Sequence, residues 1–133
     1  MNAYGIKGNL LKWFESYLQD RKQKVVSRQA HSSLACVSAG VHQGSVLGHL
    51  LFLIYINDIC ENLMSLSRLF ADDTSLSFAS TNATEIKRVI DHDLNELVNW
   101  STKWLMCFNP DKTEIMLFSN KEASDTLEFT FNG

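Results

Sequence analysis

Apolar side chains recur every three or four residues in the first part of the chain and again around residue 50, which is the spacing of a helix with a buried stripe. Residues 8–19 predict the first helix, and its stripe consists of Leu10, Leu11, Phe14, Tyr17 and Leu18. Residues 45–64 predict a second helix, which is apolar on nearly every side between Leu50 and Ile56. We therefore expect the second helix to be mostly buried.

A third helix is predicted to begin at Asn82, because Asn82 and Glu85 have the spacing of a helix cap and the third residue after it. Its apolar stripe consists of Ile86, Val89, Ile90, Leu94, Leu97, Val98 and Leu105. The mostly polar run Asp91-His92-Asp93-Leu94-Asn95 falls in the middle of this helix and is interpreted as a solvated face. It is not interpreted as a calcium loop, because Glu96 stands where such a loop requires glycine. Pro110, the only proline, is expected to end the helix.

Alternating apolar and polar residues predict strands in the remaining segments. The predicted strands cover residues 24–28, 34–38, 67–71, 74–79, 114–118 and 127–131. The first two are expected to pair as one hairpin and the next two as another, in which Leu76 and Phe78 alternate with serines. Together with the helices, these strands predict an α+β fold with helices packed on one face of an antiparallel sheet.

The second hairpin contains two adjacent carboxylates, Asp72 and Asp73. We expect Asp72 and Asp73 to form the tight turn of this hairpin, because aspartate tolerates turn geometry and is depleted inside strands. Adjacent carboxylates repel each other, and a divalent cation between them would relieve that repulsion, since Mg²⁺ prefers carboxylate oxygen. For the pair taken alone, a solvated acidic turn is the commoner alternative.

Length and composition predict a single globular domain, since 133 residues with 45% hydrophobic content can bury a core. Charge is distributed unevenly around a net value of −3. Residues 1–57 carry six basic and two acidic side chains, whereas residues 58–133 carry six basic and thirteen acidic ones. Two interpretations stay open for the basic cluster, contact with a phosphate backbone or an ordinary solvated surface. The cluster consists of Arg21, Lys22, Lys24 and Arg28.

Cysteine usage and hydropathy bear on the compartment. Cys36, Cys60 and Cys107 are far apart and lack metal-ligand spacing, so we expect free, buried thiols in a reducing, intracellular compartment. The longest apolar run, from Leu50 to Ile56, is too short to cross a bilayer, and the sequence shows no signal peptide. No membrane partner is therefore expected.

An ordered set of motifs surrounds the acidic pair. Residues 4–25 come first, followed by Gly40-Val41-His42-Gln43-Gly44-Ser45, then by Phe70-Ala71-Asp72-Asp73, and finally by residues 100–113, which end in Asn109-Pro110-Asp111-Lys112-Thr113. In order and spacing these motifs resemble the palm domain of reverse transcriptases, particularly those of non-LTR (LINE-like, jockey-type) retrotransposons. The resemblance covers almost the whole chain, and it implies RNA-directed DNA polymerisation as the family activity.

The resemblance also implies the catalytic roles. Asp72 would be the main ligand of a two-ion Mg²⁺ site, with Asp73 as a supporting carboxylate. Such a site promotes the in-line attack of a primer 3′-hydroxyl on the α-phosphate of the incoming nucleotide. Lys112 matches a family lysine near the triphosphate, where a cation would help pyrophosphate to leave. The alternative for Lys112 is a solvated lysine after a turn.

Substrate contacts are implied in the same way. Gln43, Gly44 and Ser45 would lie against the template and the incoming nucleotide, and glycine suits that place because backbone without a Cβ can approach a ligand closely. Phe70 and Ala71 would shape the nucleotide pocket. The implied partners are an RNA template, a DNA primer and a deoxynucleoside triphosphate.

The chain departs from the family pattern in three respects. His42 and His49 stand where the family usually has proline. The family places a further metal-binding aspartate on a strand ahead of the segment that begins at Tyr4, and its fingers, primer grip and thumb have no counterpart here. We therefore expect residues 1–133 to be a partial palm with an incomplete Mg²⁺ site, inactive alone and self-associating through an open sheet edge. The competing hypotheses are a non-catalytic retroelement remnant that binds nucleic acid or protein, and an unrelated metal-binding α+β domain.

Overall fold

The computed structural model describes residues 4–28, 30–42, 44–119 and 127–131. The chain divides into two compact units, residues 1–56 and residues 57–133. Within the described ranges, the main regular elements are three α-helices and three two-stranded antiparallel ribbons. The predicted α+β class is therefore confirmed, although the strands form separate ribbons rather than one sheet.

In the first unit, helix α1 spans Gly8–Leu18, as the hydrophobic spacing predicts. Phe14 is buried, and the rest of the stripe apart from Leu10 is half-buried. Leu10 is 53% exposed, so its place in the buried stripe is wrong. It lies in the first turn of the helix, where the neighbouring residues are exposed as well.

Two short ribbons follow α1 and form one interrupted hairpin. Strand β1 (Lys22–Gln23) pairs with β4 (Ala35–Cys36), and β2 (Val26–Ser27) pairs with β3 (Ala30–His31). On the outgoing arm, two residues lie between β1 and β2, whereas on the returning arm three residues lie between β3 and β4. The extra residue on the returning arm makes a β-bulge. The predicted hairpin is confirmed, but its arms occupy residues 22–27 and 30–36 because the chain turns back earlier than predicted.

Helix α2 spans Val46–Ile56, shorter than the predicted helix. Turns follow, and Asn62 has a left-handed backbone conformation (φ 68°) that a continuing helix does not allow. The prediction that this helix is mostly buried is wrong, because only three of its described residues are buried, namely Gly48, Leu51 and Ile56. A helix that is apolar all round is buried only where chain covers every side, and Val46, Leu50 and Leu53 are exposed here.

In the second unit, strand β5 (Leu66–Phe70) pairs antiparallel with β6 (Asp73–Ser77). This is the predicted acidic hairpin, with each strand beginning one residue earlier than predicted. Paired residues share a face, so one face carries Ser67 and Leu69 opposite Leu76 and Thr74. The other face is exposed and carries Leu66, Arg68 and Phe70 opposite Ser77, Ser75 and Asp73.

Helix α3 spans Ala83–Trp104 and begins at the predicted cap, because the Asn82 side chain accepts a hydrogen bond from the backbone N–H of Thr84 at 2.9 Å. The Glu85 carboxylate accepts a hydrogen bond from Ser80 Oγ at 2.6 Å. The prediction that Pro110 ends the helix is wrong. Leu105 already has a left-handed conformation (φ 56°), and Pro110 begins a separate 3₁₀ turn, Pro110–Lys112. Leu105 is 90% exposed and does not belong to the stripe.

The two predicted closing strands are absent from the part of the second unit that the structure describes. Residues 113–119 and 127–131 are extended or irregular there, without strand pairing. Alternation of apolar residues favours a strand, but a strand also needs a partner backbone. No described strand pairs with residues 115–118, which are exposed. Residues 127–131 are held by side chains instead. Lys87 donates to the Glu128 carbonyl at 2.7 Å, and the Phe108 and Phe131 rings are 5.5 Å apart.

All three cysteines are free, as predicted. The prediction that they are buried is wrong, because Cys36 and Cys107 are exposed and Cys60 is half-buried. Among the described residues, no helix combines the length and the apolar character that a membrane span requires.

Candidate active site

The acidic hairpin turns on two residues, Ala71 and Asp72, because Phe70 is the cross-strand partner of Asp73. The prediction that Asp72-Asp73 forms the turn is therefore wrong by one residue, and Asp73 is the first residue of β6. Ala71 has a positive φ of 52°, a region that residues with a Cβ rarely adopt. A positive φ at the first turn position matches the twist of the flanking strands, which explains why alanine is held there at a cost of about 1–2 kcal/mol.

The two carboxylates occupy different positions on this hairpin. Asp72 lies at its tip, whereas Asp73 lies on the exposed face beside Phe70, which is 82% exposed. In the described part of the chain, neither carboxylate makes an ion pair or a side-chain hydrogen bond. Arg68 shares the exposed face but is paired with Ser75, outside ion-pair distance of either aspartate. Both carboxylates therefore present free oxygens to solvent.

The donor chemistry of this tip suits a hard divalent cation, because ionised carboxylates offer only oxygen acceptors. The number of donors is small. Within the described ranges, no group of three or more His, Cys, Asp or Glu side chains lies close enough to hold a metal ion. Asp72 and Asp73 would thus supply only part of a six-oxygen shell.

The glycine-containing turn before α2 belongs to the first unit. Gly44 has a positive φ of 82°, and Gln43 lies outside the described residues. Ser45 Oγ accepts a hydrogen bond from the backbone N–H of Gly48 at 2.9 Å and donates to the His42 carbonyl at 3.0 Å. The Ser45 hydroxyl therefore caps the N-terminus of α2, a structural role that the resemblance did not imply.

Two residues support this turn and were not predicted to do so. The Tyr17 hydroxyl lies 3.3 Å from Ser45 Oγ, and the Tyr17 ring contacts the His42 ring at 5.9 Å between centroids. A Cβ at Gly48 would lie 2.7 Å from the His42 carbonyl oxygen, so only glycine lets the turn approach the helix. A lone glycine in an apolar helical pattern was the available signal for such close packing. His49 Nδ1 lies 3.2 Å from the Ser45 carbonyl oxygen, in the first turn of α2.

Lys112 ends the 3₁₀ turn Pro110–Lys112, which Asn109 caps by accepting from the backbone N–H of Asp111 at 3.1 Å. Lys112 is exposed and, among the described residues, makes no ion pair or side-chain hydrogen bond. The structure thus brings Phe70, Ala71, Asp72 and Asp73 together on one hairpin without a described contact from Lys112.

Asp93 contradicts the interpretation of the polar run on α3 as a solvated face. It is fully buried, and its carboxylate accepts hydrogen bonds of 2.8 Å from the backbone N–H groups of Met64 and Ser65, just before β5. Burial alone raises the pKa of Asp93, but the hydrogen bonds from Met64, Ser65 and His92 outweigh burial and lower the pKa below its ordinary value of 3.8. Asp93 thereby ties the acidic hairpin to α3.

Comparison with known proteins identifies the family of the chain. The family described as reverse transcriptase (RNA-dependent DNA polymerase) matches residues 1–133. The chain is 35% identical over 118 residues to the probable RNA-directed DNA polymerase from transposon BS of Drosophila melanogaster, covering 83% of the chain and 13% of that protein. It is 30% identical over 132 residues to the RNA-directed DNA polymerase from mobile element jockey of Drosophila funebris, covering 93% of the chain and 14% of that protein. For the probable RNA-directed DNA polymerase from transposon X-element of Drosophila melanogaster, identity is 33% over 115 residues, 83% of the chain and 13% of that protein.

The chain therefore belongs to the reverse transcriptase family and is of the non-LTR retrotransposon type. It spans only 13–14% of the length of these relatives. No solved structure matches the chain significantly.

Proposed function

We propose that this chain supplies part of the nucleotidyl-transfer site of an RNA-directed DNA polymerase, with the acidic hairpin as the metal-binding element. The observation that carries the proposal is the pair of exposed carboxylates, Asp72 at the tip and Asp73 at the first position of β6, which no described cation neutralises. Two free carboxylates that repel each other gain most from a divalent cation.

In this proposal, Asp72 and Asp73 hold Mg²⁺ through their free oxygens. Two bound Mg²⁺ ions would activate the primer 3′-hydroxyl and stabilise the leaving pyrophosphate. Phe70 offers an exposed aromatic surface beside Asp73 for the incoming nucleotide. Ala71 keeps the turn small, since its single methyl group leaves the tip open.

The remaining residues bind and orient the substrates. Gln43, Gly44 and Ser45 contact the template and the incoming nucleotide, with backbone approach at Gly44, where a Cβ would meet nothing within 4 Å. Lys112 stabilises the departing pyrophosphate as an exposed cation. The substrates are an RNA template, a DNA primer and a deoxynucleoside triphosphate, and residues 1–133 act as a partial palm within a longer polymerase.

One observation favours a second candidate, a non-catalytic module that binds nucleic acid or protein. In the described ranges the hairpin has two carboxylates, and no third His, Cys, Asp or Glu lies close enough to complete a metal site with them. A chain with this site would bind partners without transferring nucleotides.

A graft distinguishes the two candidates. Residues 1–133 replace the matching segment of the polymerase from mobile element jockey of Drosophila funebris, and primer extension is measured on a poly(rA) template with an oligo(dT) primer. We expect extension that falls by about 100-fold or more in Asp72→Asn and rises when His42 and His49 are changed to proline. Asp111→Asn, an exposed acid elsewhere in the second unit, is the matched control. A graft that stays inactive with both prolines favours the non-catalytic module, and activity indifferent to Asp72→Asn contradicts the metal assignment.

A further inference from the structure

The charge asymmetry of the sequence coincides with the structural division of the chain. The first unit, residues 1–56, contains all six basic and both acidic side chains of the N-terminal part, whereas the second unit is acidic. From Arg21 to Asn57 the sequence contains no aspartate or glutamate. Asp20 directly precedes this stretch, but among the described residues it makes no ion pair with these cations.

The interrupted hairpin of residues 21–37 carries most of this positive charge, but its four cations are not equivalent. Arg21 Nε donates to the Leu18 carbonyl at 3.1 Å, and Arg21 Nη2 donates to the Gly40 carbonyl. Arg21 thereby fixes the base of the hairpin to the end of α1 and to the turn before α2. Two of the five N–H donors of its guanidinium are therefore used by the fold, and the inference below does not include Arg21.

The other three cations are free. Lys22, Lys24 and Arg28 are exposed and, in the part of the chain that the structure describes, make no ion pair or side-chain hydrogen bond. Lys22 and Lys24 are two residues apart on the outgoing arm, the spacing that brings side chains to one face of an extended segment. Arg28 follows at the end of the same arm, where its positive φ of 48° reverses the chain. Like charges so placed repel one another unless a polyanion lies across them.

The shape of the hairpin is held independently of these cations. Val25 and Ser32 are joined by two hydrogen bonds of 2.9 Å, one from the Val25 N–H to Ser32 Oγ and one from the Ser32 N–H to the Val25 carbonyl. Val37 N–H donates to the Arg21 carbonyl at 2.9 Å. Because backbone and serine contacts fix the arms, removing the three charges leaves the fold of the hairpin in place.

We infer that Lys22, Lys24 and Arg28 form a phosphate-backbone contact of the template–primer duplex, with the phosphodiester groups as the ligand. This inference rests on the proposed function, since the template–primer duplex is the substrate of that function. The hairpin would be a second surface that binds it, apart from the acidic hairpin. Three positive charges on a narrow hairpin would bind the sugar-phosphate backbone of the duplex without recognising its base sequence.

Fluorescence anisotropy with a labelled oligo(rA)·oligo(dT) duplex tests the inference on the full 133-residue chain over a range of salt concentrations. We expect the variant with Lys22, Lys24 and Arg28 changed to Gln to lose about 10-fold or more in affinity at low salt and to lower the slope of log K against log salt by about 3. The matched control changes Lys7, Lys12 and Arg88 to Gln, which removes the same charge from exposed positions elsewhere. It should keep the wild-type slope. A charge-preserving variant, Lys22→Arg with Lys24→Arg, should also bind like wild type, and circular dichroism verifies the fold of each variant.

Three results would overturn the inference. The first is wild-type affinity in the hairpin variant. The second is an equal loss of affinity in both triple variants, which would attribute binding to bulk charge. The third is a salt-dependent self-association that the hairpin variant abolishes while duplex binding persists. Duplex binding needs no catalysis, so the two experiments can fail independently. Loss of the predicted binding would not affect the Asp72-dependent extension by the graft, and an inactive graft would not affect the binding result.

Discussion

Asp93 Oδ2, in the middle of α3, accepts a 2.8 Å hydrogen bond from the backbone N–H of Ser65, the residue directly before β5. Asp93 Oδ1 accepts an equally short bond from Met64. One buried side chain therefore satisfies two backbone donors at the start of the strand that leads to the candidate site. The position of the acidic hairpin on α3 depends on this carboxylate.

Replacing Asp93 with alanine should lower the free energy of unfolding by about 2–4 kcal/mol, because the buried N–H of Ser65 and the part-buried N–H of Met64 lose their acceptor. Urea unfolding followed by circular dichroism measures the change. Asp91→Ala is the control, since Asp91 lies on the same helix in a surface ion pair with Lys87 (2.9 Å) and should cost less than about 1 kcal/mol. Equal effects of the two substitutions would contradict the role of Asp93.

The same carboxylate predicts a pH dependence. The pKa of Asp93 is lowered in the folded chain from its ordinary value of 3.8, so the folded state binds this proton less tightly than the unfolded state. Its contribution to stability is complete above that ordinary value and is lost as the pH falls through the lower folded value. The difference in Tm between the wild type and Asp93→Asn should therefore shrink below about pH 4. A difference that stays constant through this range would contradict the assignment.

Gly48 should not tolerate a side chain. In Gly48→Ala the new Cβ would lie 2.7 Å from the His42 carbonyl oxygen, so the turn or the helix must move. The gain in helix propensity, about 1 kcal/mol, should be outweighed by overpacking, which costs about 1–3 kcal/mol. Urea unfolding should therefore give a lower free energy of unfolding for Gly48→Ala than for the wild type. Gly8→Ala gives the cost of backbone strain without a clash, because Gly8 has a φ of 62° and its Cβ would meet no atom within 4 Å. Unchanged or higher stability in Gly48→Ala would contradict the clash at Gly48.

The sequence predicted α1 and the start of α3 well because an amphipathic stripe is a local signal that its own residues carry. Asp93 lies four residues after Val89 and four before Leu97, on the buried stripe itself. An aspartate at a position that the stripe marks as buried was the available sign that it has partners, but its partners at residues 64 and 65 belong to a distant segment. Strand pairing depends on distant partners in the same way. The apolar alternation of residues 114–118 could therefore not tell whether another strand would lie beside them.

In the candidate site, too, local features could be predicted from the sequence, whereas contacts between distant residues could not. The motif Phe70-Ala71-Asp72-Asp73 located the hairpin, because residue identity alone marks a pair of carboxylates between two strands. Its turn was misplaced by one residue, since sequence did not show that alanine would take the positive φ. The contact between Tyr17 and Ser45 joins residues that are 28 positions apart, so no local motif marks it. Ser45 directly before α2 and the lone Gly48 were the local signs of the cap and of the close packing.

The exposed face of the β5–β6 ribbon should make the chain self-associate. Neither strand of this ribbon pairs with another described strand, and Leu66 and Phe70 are exposed on one face. Sedimentation velocity should show concentration-dependent oligomers. Leu66→Lys should shift the chain towards monomer by placing charge on that face, whereas Thr81→Lys, exposed beyond the ribbon, should not. A wild-type chain that stays monomeric at high concentration would show that the ribbon is covered.

Metal binding by the hairpin should be weak, because Asp72 and Asp73 offer few fixed oxygens and Mg²⁺ gives up its water reluctantly. Calorimetric titration with Mg²⁺ or Mn²⁺ should give a Kd of about 1 mM or weaker, with binding lost in Asp72→Asn and reduced in Asp73→Asn. The tip position of Asp72 is the reason for the difference, since Asp73 is constrained by pairing with Phe70 in the ribbon. Asp111→Asn controls for general acidity, being exposed in the same unit. Tight binding would require ligands beyond these two carboxylates, and binding unchanged in Asp72→Asn would place the metal elsewhere on the acidic unit.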